Sequence, residues 1–580
     1  MSRNMKGFIS FSITLHNWIM EILDEKLQAL SLQLKKEVSA FDVESFVGFF
    51  CYFIRYKSGG EVISQFQSRL KDFLYLMALN VTAQNRGTED FWMKEQELKS
   101  WAKDLRSIKD CYRDIGLGEL GDNEDVLKKV IHNVSFHTYF ENGVLNYVEQ
   151  DLDRLKRIFT PYDEVIEKDF GFNTQFLIRL YRFSEFVGAE KYKRQREFQQ
   201  DPAFGQFLSG EKHHDLAGRL AALPPDVKRG LDNFMISSHD SFKFTREEYC
   251  SAFAEEKIDR FLEIFVLDPK PNDRFLFFAQ GNPLDEKPII KLPSGEYLFA
   301  YQKQLPLAMS NFLYKHLQLD PKRGDKIRKH RDRTLEIKTE DIFKTFFKND
   351  SQAFYHTGYH VETNTEQDIL ILSRNLALII EIKASKFKEP FRDSIKGYSR
   401  IKDDFDSSIQ YGYQQCLRVE NKFYENEPFY LYKKEQPYQL VDPAKYTKVF
   451  SIVVTLERFG PIQTDLKLML QKQEDFHFPW SVYIDDLETF LLALRKCYSH
   501  PVTQLIDFLL IREQLHGRLY ASDELDICGA FLSNKTKFME FGKMEDSMAT
   551  FHSGNQQIFD ELYFAGLGFE DELFIEKKKN

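Results

Sequence analysis

The 580-residue chain has few of the residues that build disulfide scaffolds, zinc knuckles or turn-rich β folds. Its six cysteines lie at least 31 residues apart, which excludes a C-x-x-C half-site and a dense disulfide framework. Glycine and proline number only 28 and 18, a balance that favours long helices. No apolar run reaches the roughly 18 residues that a membrane span needs. We therefore expect reduced thiols, a cytoplasmic location and no membrane segment.

Aromatic residues, in contrast, are abundant, with 55 Phe, 27 Tyr and 4 Trp. In the first half of the chain they recur at three- and four-residue intervals, as in residues 41–50 and 176–186. This spacing is typical of amphipathic helices that pack around a core. The sequence therefore predicts a helical, aromatic-rich domain over residues 1–270, and this domain offers no catalytic constellation.

The sequence changes in character near residue 270, where breaker residues at 268–273 precede a predicted hairpin within 288–299. The elements predicted beyond it are helices at 305–317, 325–347 and 404–424 and strands at 355–361, 368–372, 376–384, 449–456 and 481–484. This alternation predicts an α/β core in a protein that is α+β overall. We expect that core to occupy residues 271–500 and a helical, then irregular, segment to follow at 501–580.

One predicted hairpin carries charged residues at its open end. A two-residue turn that ends at Asn375, a residue that tolerates positive φ, gives cross-strand partners whose numbers add up to 749. Asp368 then lies opposite Glu381. Glu366 lies opposite Lys383. Because side chains alternate between the faces of a strand, all four emerge on the same face.

Two carboxylates and an ammonium at the end of a buried hairpin are costly unless they bind something. A hard cation such as Mg²⁺ or Mn²⁺ suits them, since Mg²⁺ takes carboxylates, waters and phosphate oxygens as ligands. Asp368, Glu381 and the carbonyl of Ile382 are the predicted ligands. Such a metal lowers the pKa of an attacking water and neutralises charge on a phosphate, and Lys383 orients that water or stabilises that charge. The predicted chemistry is phosphodiester hydrolysis.

The arrangement Asp368-x12-Glu381-x-Lys383 on a hairpin resembles the catalytic signature of the PD-(D/E)XK nuclease superfamily, which has the restriction-endonuclease-like fold. The resemblance covers about residues 320–430. It departs from the name-giving pattern at Gln367, which stands where the proline would be. The resemblance implies a mixed central sheet flanked by helices.

The resemblance also implies side chains outside the hairpin. A carboxylate on the first core helix would join the metal site; Glu336 is our choice and Glu340 the alternative. A polar residue on the helix after the motif would support the site, either Gln410 or Gln414.

Charge is distributed unevenly along the chain. The total is −10, yet residues 322–333 and 383–402 each hold seven Lys or Arg against two acidic residues. Two basic runs that bracket a metal motif are typical of a phosphate-backbone contact surface. The residues predicted to contact the backbone are Lys386, Lys388, Arg392, Lys396 and Arg400.

The sequence thus predicts a Mg²⁺-dependent nuclease, with a DNA endonuclease favoured, and resembles prokaryotic defence or restriction effectors at the level of fold analogy alone. The alternative is a catalytically inactive nuclease-fold protein that binds nucleic acid or a protein partner. The choice between monomer and homo-oligomer stays open, as does that between DNA and RNA.

Overall fold

The computed structural model describes residues 3–55, 60–120, 126–141, 146–209, 216–361, 365–384, 394–544 and 547–573. The chain forms two compact units, of which the first comprises residues 1–114 and 140–319 and the second residues 115–139 and 320–580. Helices and a mixed sheet confirm the predicted α/β core in an α+β protein. Within the described residues, no helix combines the length and apolar character that crossing a bilayer requires.

The first unit is mostly helical, as predicted. Its helices, the fifth of which continues into the second unit, are Arg3–Val38, Val43–Arg55, Gly60–Ile63, Arg69–Val81, Glu95–Leu120, Val148–Phe159, Asp163–Phe170, Thr174–Gln195, Pro202–Ser209, Leu216–Ala221, Pro225–Ser237, Arg246–Cys250, Glu255–Phe265, Pro283–Glu286 and Leu305–Gln318. Its four short strands are, in sheet order, Lys243–Phe244, Tyr297–Phe299, Ile289–Lys291 and Val266–Leu267.

The division between the units does not coincide with the boundary expected at residue 270. The predicted hairpin is present as Ile289–Lys291 paired with Tyr297–Phe299. Strand Tyr297–Phe299 also pairs with Lys243–Phe244, and strand Ile289–Lys291 also pairs with Val266–Leu267. The hairpin therefore forms the centre of a four-stranded sheet in the first unit. The breaker cluster before it is therefore a loop inside that unit.

The second unit is built on a seven-stranded mixed sheet. Its strands are, from edge to edge, Trp480–Tyr483, Lys448–Thr455, Leu376–Lys383, Glu366–Ser373, Ala353–His360, Phe429–Lys433 and Gln436–Val441. The described helices of this unit, the first of which continues into the first unit, are Val126–Glu141, Pro321–Phe346, Ser394–Phe405, Tyr411–Tyr424, Pro461–Thr464, Ile484–Cys497, Pro501–Arg512, Glu524–Ser533, Lys535–Gly542 and Gln557–Phe564. A short two-stranded sheet pairs Leu519–Ala521 with Ala549–Phe551.

The hairpin that carries the charged residues, formed by Glu366–Ser373 and Leu376–Lys383, lies inside this seven-stranded sheet. Strand Leu376–Lys383 pairs antiparallel with Glu366–Ser373 on one side and parallel with Lys448–Thr455 on the other. All of its residues except Lys383 are buried, as expected of a strand covered on both faces. The turn has its positive φ, 53°, at Arg374, whereas we expected it at Asn375.

The helix predicted at 404–424 is more complex than its sequence pattern. Helix Ser394–Phe405 continues through a π-helical turn, Asp406–Gln410, into helix Tyr411–Tyr424. Helix Tyr411–Tyr424 packs on the face of the sheet that carries Leu370 and Ile379. These two residues form one core cluster with Cys416 and Val419 of the helix. The π turn directly precedes Tyr411 and Gly412, which lie beside Lys383 at the charged end of the hairpin.

Gly412 permits this close approach of helix and sheet. A methyl group at position 412 would lie 2.8 Å from Val453 Cγ1 and 3.3 Å from Lys383 Cε. We expect Gly412→Ala to lower the free energy of unfolding by about 1–3 kcal/mol, because overpacking forces these side chains or the helix to move. Urea unfolding of the full chain measures this difference.

The matched control is Gly554→Ala in the same unit, where a methyl group would meet nothing within 4 Å. We expect this variant to unfold within about 0.5 kcal/mol of wild type. Equal stabilities of the two variants would contradict the close approach at Gly412.

Candidate active site

The hairpin has the predicted register over its apolar pairs, and the charged residues lie just beyond the last of these pairs. Paired residues from Ile369 with Ile380 to Ser373 with Leu376 all have numbers that add up to 749. At the open end, the amide of Asp368 donates to Glu381 Oε1 at 3.2 Å. The amide of Ile382 donates to Asp368 Oδ2 at 2.7 Å. Each carboxylate is thus held by the backbone of the opposite strand.

Lys383 lies against both carboxylates. Its Nζ donates to Glu381 Oε2 at 3.1 Å and lies 3.7 Å from Asp368 Oδ2. The Glu381 side chain is fully buried, while those of Lys383 and Asp368 are 11% and 19% exposed. Solvent and ligands can therefore reach the Asp368 carboxylate, whereas the protein covers the Glu381 carboxylate completely.

Burial and the neighbouring charges perturb the ionisation of this group. Burial, and next the Asp368 carboxylate, raise the pKa of Glu381 from its ordinary 4.5 to about 8, although Lys383 opposes the shift. Burial lowers the pKa of Lys383, but the carboxylates of Glu381 and Asp368 outweigh it and raise the pKa overall. The ammonium of Lys383 therefore stays charged. Its positive charge offsets only part of the repulsion between the two carboxylates.

The two carboxylates proposed for the preceding helix are in different surroundings. Glu336 has an exposed side chain, yet partial burial of its carboxyl group, and next the charge of Asp368, raise its pKa. Glu340 pairs instead with Lys344, at 2.7 Å within the same helix, and its charge acts on Tyr355. Glu336 is thus the member of the pair whose charge is coupled to the hairpin.

The other three predicted supporting residues, Gln410, Gln414 and Glu366, each lie in different surroundings. Gln410 is directed elsewhere, since its amide exchanges two hydrogen bonds with the backbone of Gln471, at 2.8 and 3.3 Å. Gln414 is exposed on the helix. Glu366 is also exposed, and its Oε1 lies over Gly358, where a methyl group would come within 2.8 Å of it.

Four of the five side chains predicted to contact the nucleic-acid backbone lie outside the described part of the chain. Lys386, Lys388 and Arg392 lie outside the described residues. Lys396 belongs to helix Ser394–Phe405, but its side chain is likewise outside the description. Arg400, in the same helix, is half-buried.

Several residues of the site were not predicted. Gln367 is fully buried beside Asp368, and its side-chain amide, oriented to satisfy both polar atoms, donates to Glu381 Oε1 at 2.9 Å. Tyr411 is 45% exposed, and its ring centre lies 5.4 Å from Lys383 Nζ. Gln367 stands between two acidic residues at the polar start of its strand, so its burial is not evident from the sequence. The position of Tyr411 depends on how helix and sheet meet, which no local pattern encodes.

The donor set suits a hard cation. Asp368 and Glu381 offer two carboxylates on one face, and Mg²⁺ commonly uses one or two carboxylates while waters complete its shell. The described residues form no three-residue ligand cluster here with all ligand atoms within 4.8 Å of one another. A cation at the hairpin would therefore retain open positions for water and phosphate.

Comparisons with known proteins give no relative from which to read a function. No family profile, curated protein or solved structure matches the chain.

The raised pKa of Glu381 predicts a pH-dependent stability in metal-free solution. Because the folded-state pKa of about 8 exceeds the ordinary 4.5, the folded state retains a proton that the unfolded state loses across this interval. The contribution is complete below the unfolded pKa and is lost as the pH rises through the folded one. We expect the stability of Glu381→Gln relative to wild type to increase by up to about 1.4 kcal/mol per pH unit between the two pKa values.

Urea unfolding in EDTA, from about pH 5 to about pH 8, measures this difference. The control is Glu340→Gln, whose parent carboxylate pairs with Lys344 in the preceding helix. Its stability should run parallel to that of wild type. Parallel curves for Glu381→Gln and wild type would refute the raised pKa.

Proposed function

We propose that the second unit is a metal-dependent phosphodiesterase of the PD-(D/E)XK type, a nuclease for which DNA is the favoured substrate. The observation that supports it most is the pairing of Asp368 and Glu381 across a central hairpin, with Lys383 in contact with both. Burial of charged groups costs stability unless they are paired or bind a ligand, and one ammonium balances only one of the two carboxylates.

In this proposal Asp368 and Glu381 hold a Mg²⁺ or Mn²⁺ ion. When bound, such an ion supplies positive charge against the scissile phosphate and acidifies water. Glu381 accepts hydrogen bonds from the Asp368 amide and from the side chains of Lys383 and Gln367, and these fix the position of the ligand set. Asp368 is more accessible, which suits a group that meets substrate and solvent.

Lys383 provides the second cationic element. Its contacts with Glu381 and Asp368 hold the ammonium at one end of the carboxylate pair. From there it can orient an attacking water or donate a hydrogen bond to a phosphate oxygen as negative charge develops. Glu336, whose pKa is raised by burial and next by the charge of Asp368, could accept a proton or contact the cation through water.

A polyanionic substrate is supported by the charges of helix Pro321–Phe346. Lys322, Lys326 and Lys329 are exposed along its first half. Arg331 donates to the carbonyl of Ala384 at 2.9 Å, which joins this basic helix to the strand that carries Lys383. Such a row of cations adjoining a carboxylate site suits a phosphate backbone.

The central test of this function removes one charge at a time. We expect Asp368→Asn and Lys383→Met each to reduce Mg²⁺-dependent cleavage by at least ~100-fold, because each removes a group that acts on the charge of the reacting phosphate. Initial rates on supercoiled plasmid, single-stranded DNA and RNA measure the effect and identify the preferred substrate.

Glu340→Gln and Lys344→Met are the matched controls, since they make the same changes in the ion pair of the preceding helix. They should cleave at the wild-type rate. Equal cleavage by all five proteins would reject the site. Salt-sensitive binding of the same substrates without cleavage by any would favour the catalytically inactive alternative.

A second test separates the two helix carboxylates. Glu336→Gln should reduce cleavage by about 10- to 100-fold, as expected of a group that supports a metal site without anchoring it. Glu340→Gln should leave the rate unchanged. The reverse order of effects in a Mg²⁺ titration of initial rates would transfer the role to Glu340.

A further inference from the structure

A second group of ligating side chains lies in the first unit, in residues that the proposed nuclease does not use. Glu44, His239 and Asp240 each offer one ligand atom, and these atoms all lie within 4.8 Å of one another. Glu44 belongs to helix Val43–Arg55, and the other two belong to the 3₁₀ turn Ser238–Phe242. The cluster therefore joins two elements that are far apart in the sequence.

The imidazole of His239 is held in place without a hydrogen bond. The residue is only 9% exposed, and its ring lies so close to Gly48 that a methyl group there would come within 2.4 Å of it. Its Nε2 lies 3.9 Å from Asp240 Oδ1, and no described residue forms a hydrogen bond with the ring. A buried imidazole that faces two carboxylates and lacks a hydrogen-bond partner has a lone pair available for a ligand.

A cation already occupies the carboxylates. The ammonium of Lys243 is in contact with Glu44 and lies 2.6 Å from Asp240 Oδ1. It neutralises one of their two negative charges and makes no use of the imidazole. A divalent metal at this point would neutralise both and would also take the imidazole as a ligand.

Space for the displaced lysine is available beside the cluster. A cavity of about 360 Å³ adjoins it and is lined by Lys191, Arg194, Gln195, Asp240, Lys243 and Glu296. Among the described residues, Gln195 Oε1 is buried without a hydrogen-bond partner, and it could accept from the lysine ammonium there. Lys243 can thus move from the carboxylates into a polar cavity without losing all its partners.

We propose that Glu44, His239 and Asp240 form a binding site for a divalent transition metal of the Zn²⁺ class, which exchanges with the ammonium of Lys243. One imidazole and two carboxylates are the ligands that Zn²⁺ and its neighbours accept, and they favour such a metal over Mg²⁺. Three protein ligands leave a fourth position open toward the cavity, where water or a ligand atom can bind.

Co²⁺ is a suitable probe, because its visible absorption reports nitrogen and carboxylate ligation directly. Titration of the full chain in excess Mg²⁺, which occupies the oxygen ligands of the hairpin, should reveal one Co²⁺ site that Zn²⁺ displaces. We expect His239→Gln and Asp240→Asn to weaken binding by at least ~10-fold, and Lys243→Met to strengthen it by about 10-fold, because the competing cation is gone.

The matched controls are His316→Gln and Glu296→Gln. His316 pairs with Asp169 at 2.8 Å in the same unit, and Glu296 lines the cavity without belonging to the cluster. Both should bind Co²⁺ like wild type. If His239→Gln does not fold, Asp240→Asn decides, since that side chain is 46% exposed and the change preserves its shape.

Two results would overturn the proposal. One is the absence of a Co²⁺ site in both wild type and Lys243→Met. The other is a site whose affinity is the same in Asp240→Asn as in Glu296→Gln. Neither result depends on cleavage activity, so the nuclease and this metal site can fail separately.

Discussion

The reciprocal hydrogen bonds between the hairpin backbone and its two carboxylates are the interaction on which the candidate site depends. The Asp368 amide binds the Glu381 carboxylate, and the Ile382 amide binds the Asp368 carboxylate. A shift of one residue in strand register would remove both bonds and turn the charges toward the opposite face. Register and charge placement therefore stabilise each other, and the surrounding apolar pairs hold the register in turn.

The buried charge limits what can pack around it. Lys383 has room only because Gly412 brings no side chain to the point where the helix crosses the sheet. Gln367 supplies a further donor to Glu381 from within the strand pair. Neither contact offsets the burial of Glu381 and, next to it, the repulsion from Asp368, so the pKa of Glu381 stays high. In the absence of a metal, Glu381 therefore keeps its proton up to about pH 8, and a cation that binds there would have to displace it.

Sequence reasoning located the hairpin because two continuous apolar runs joined by a short turn fix the register together. It missed the strands Phe429–Lys433 and Gln436–Val441 because the residues between them, Lys434 and Glu435, adopt positive φ without any glycine or asparagine. The π turn before Tyr411 was missed for a related reason, since an extra residue in a helix leaves the apolar spacing nearly intact. The two units divide at residues 319 and 320 and not near 270, because local breakers do not reveal which sheet a later hairpin will join.

Both units place a lysine ammonium between two carboxylates, and the third group distinguishes them. Lys383 contacts Glu381 and Asp368, and the next group of suitable chemistry is the carboxylate of Glu336. Lys243 contacts two carboxylates as well, but the third group there is an imidazole. An all-oxygen set selects hard cations that keep their waters, whereas one nitrogen ligand shifts the preference toward transition metals. Ligand chemistry therefore gives the two proposed sites different metal preferences within one chain.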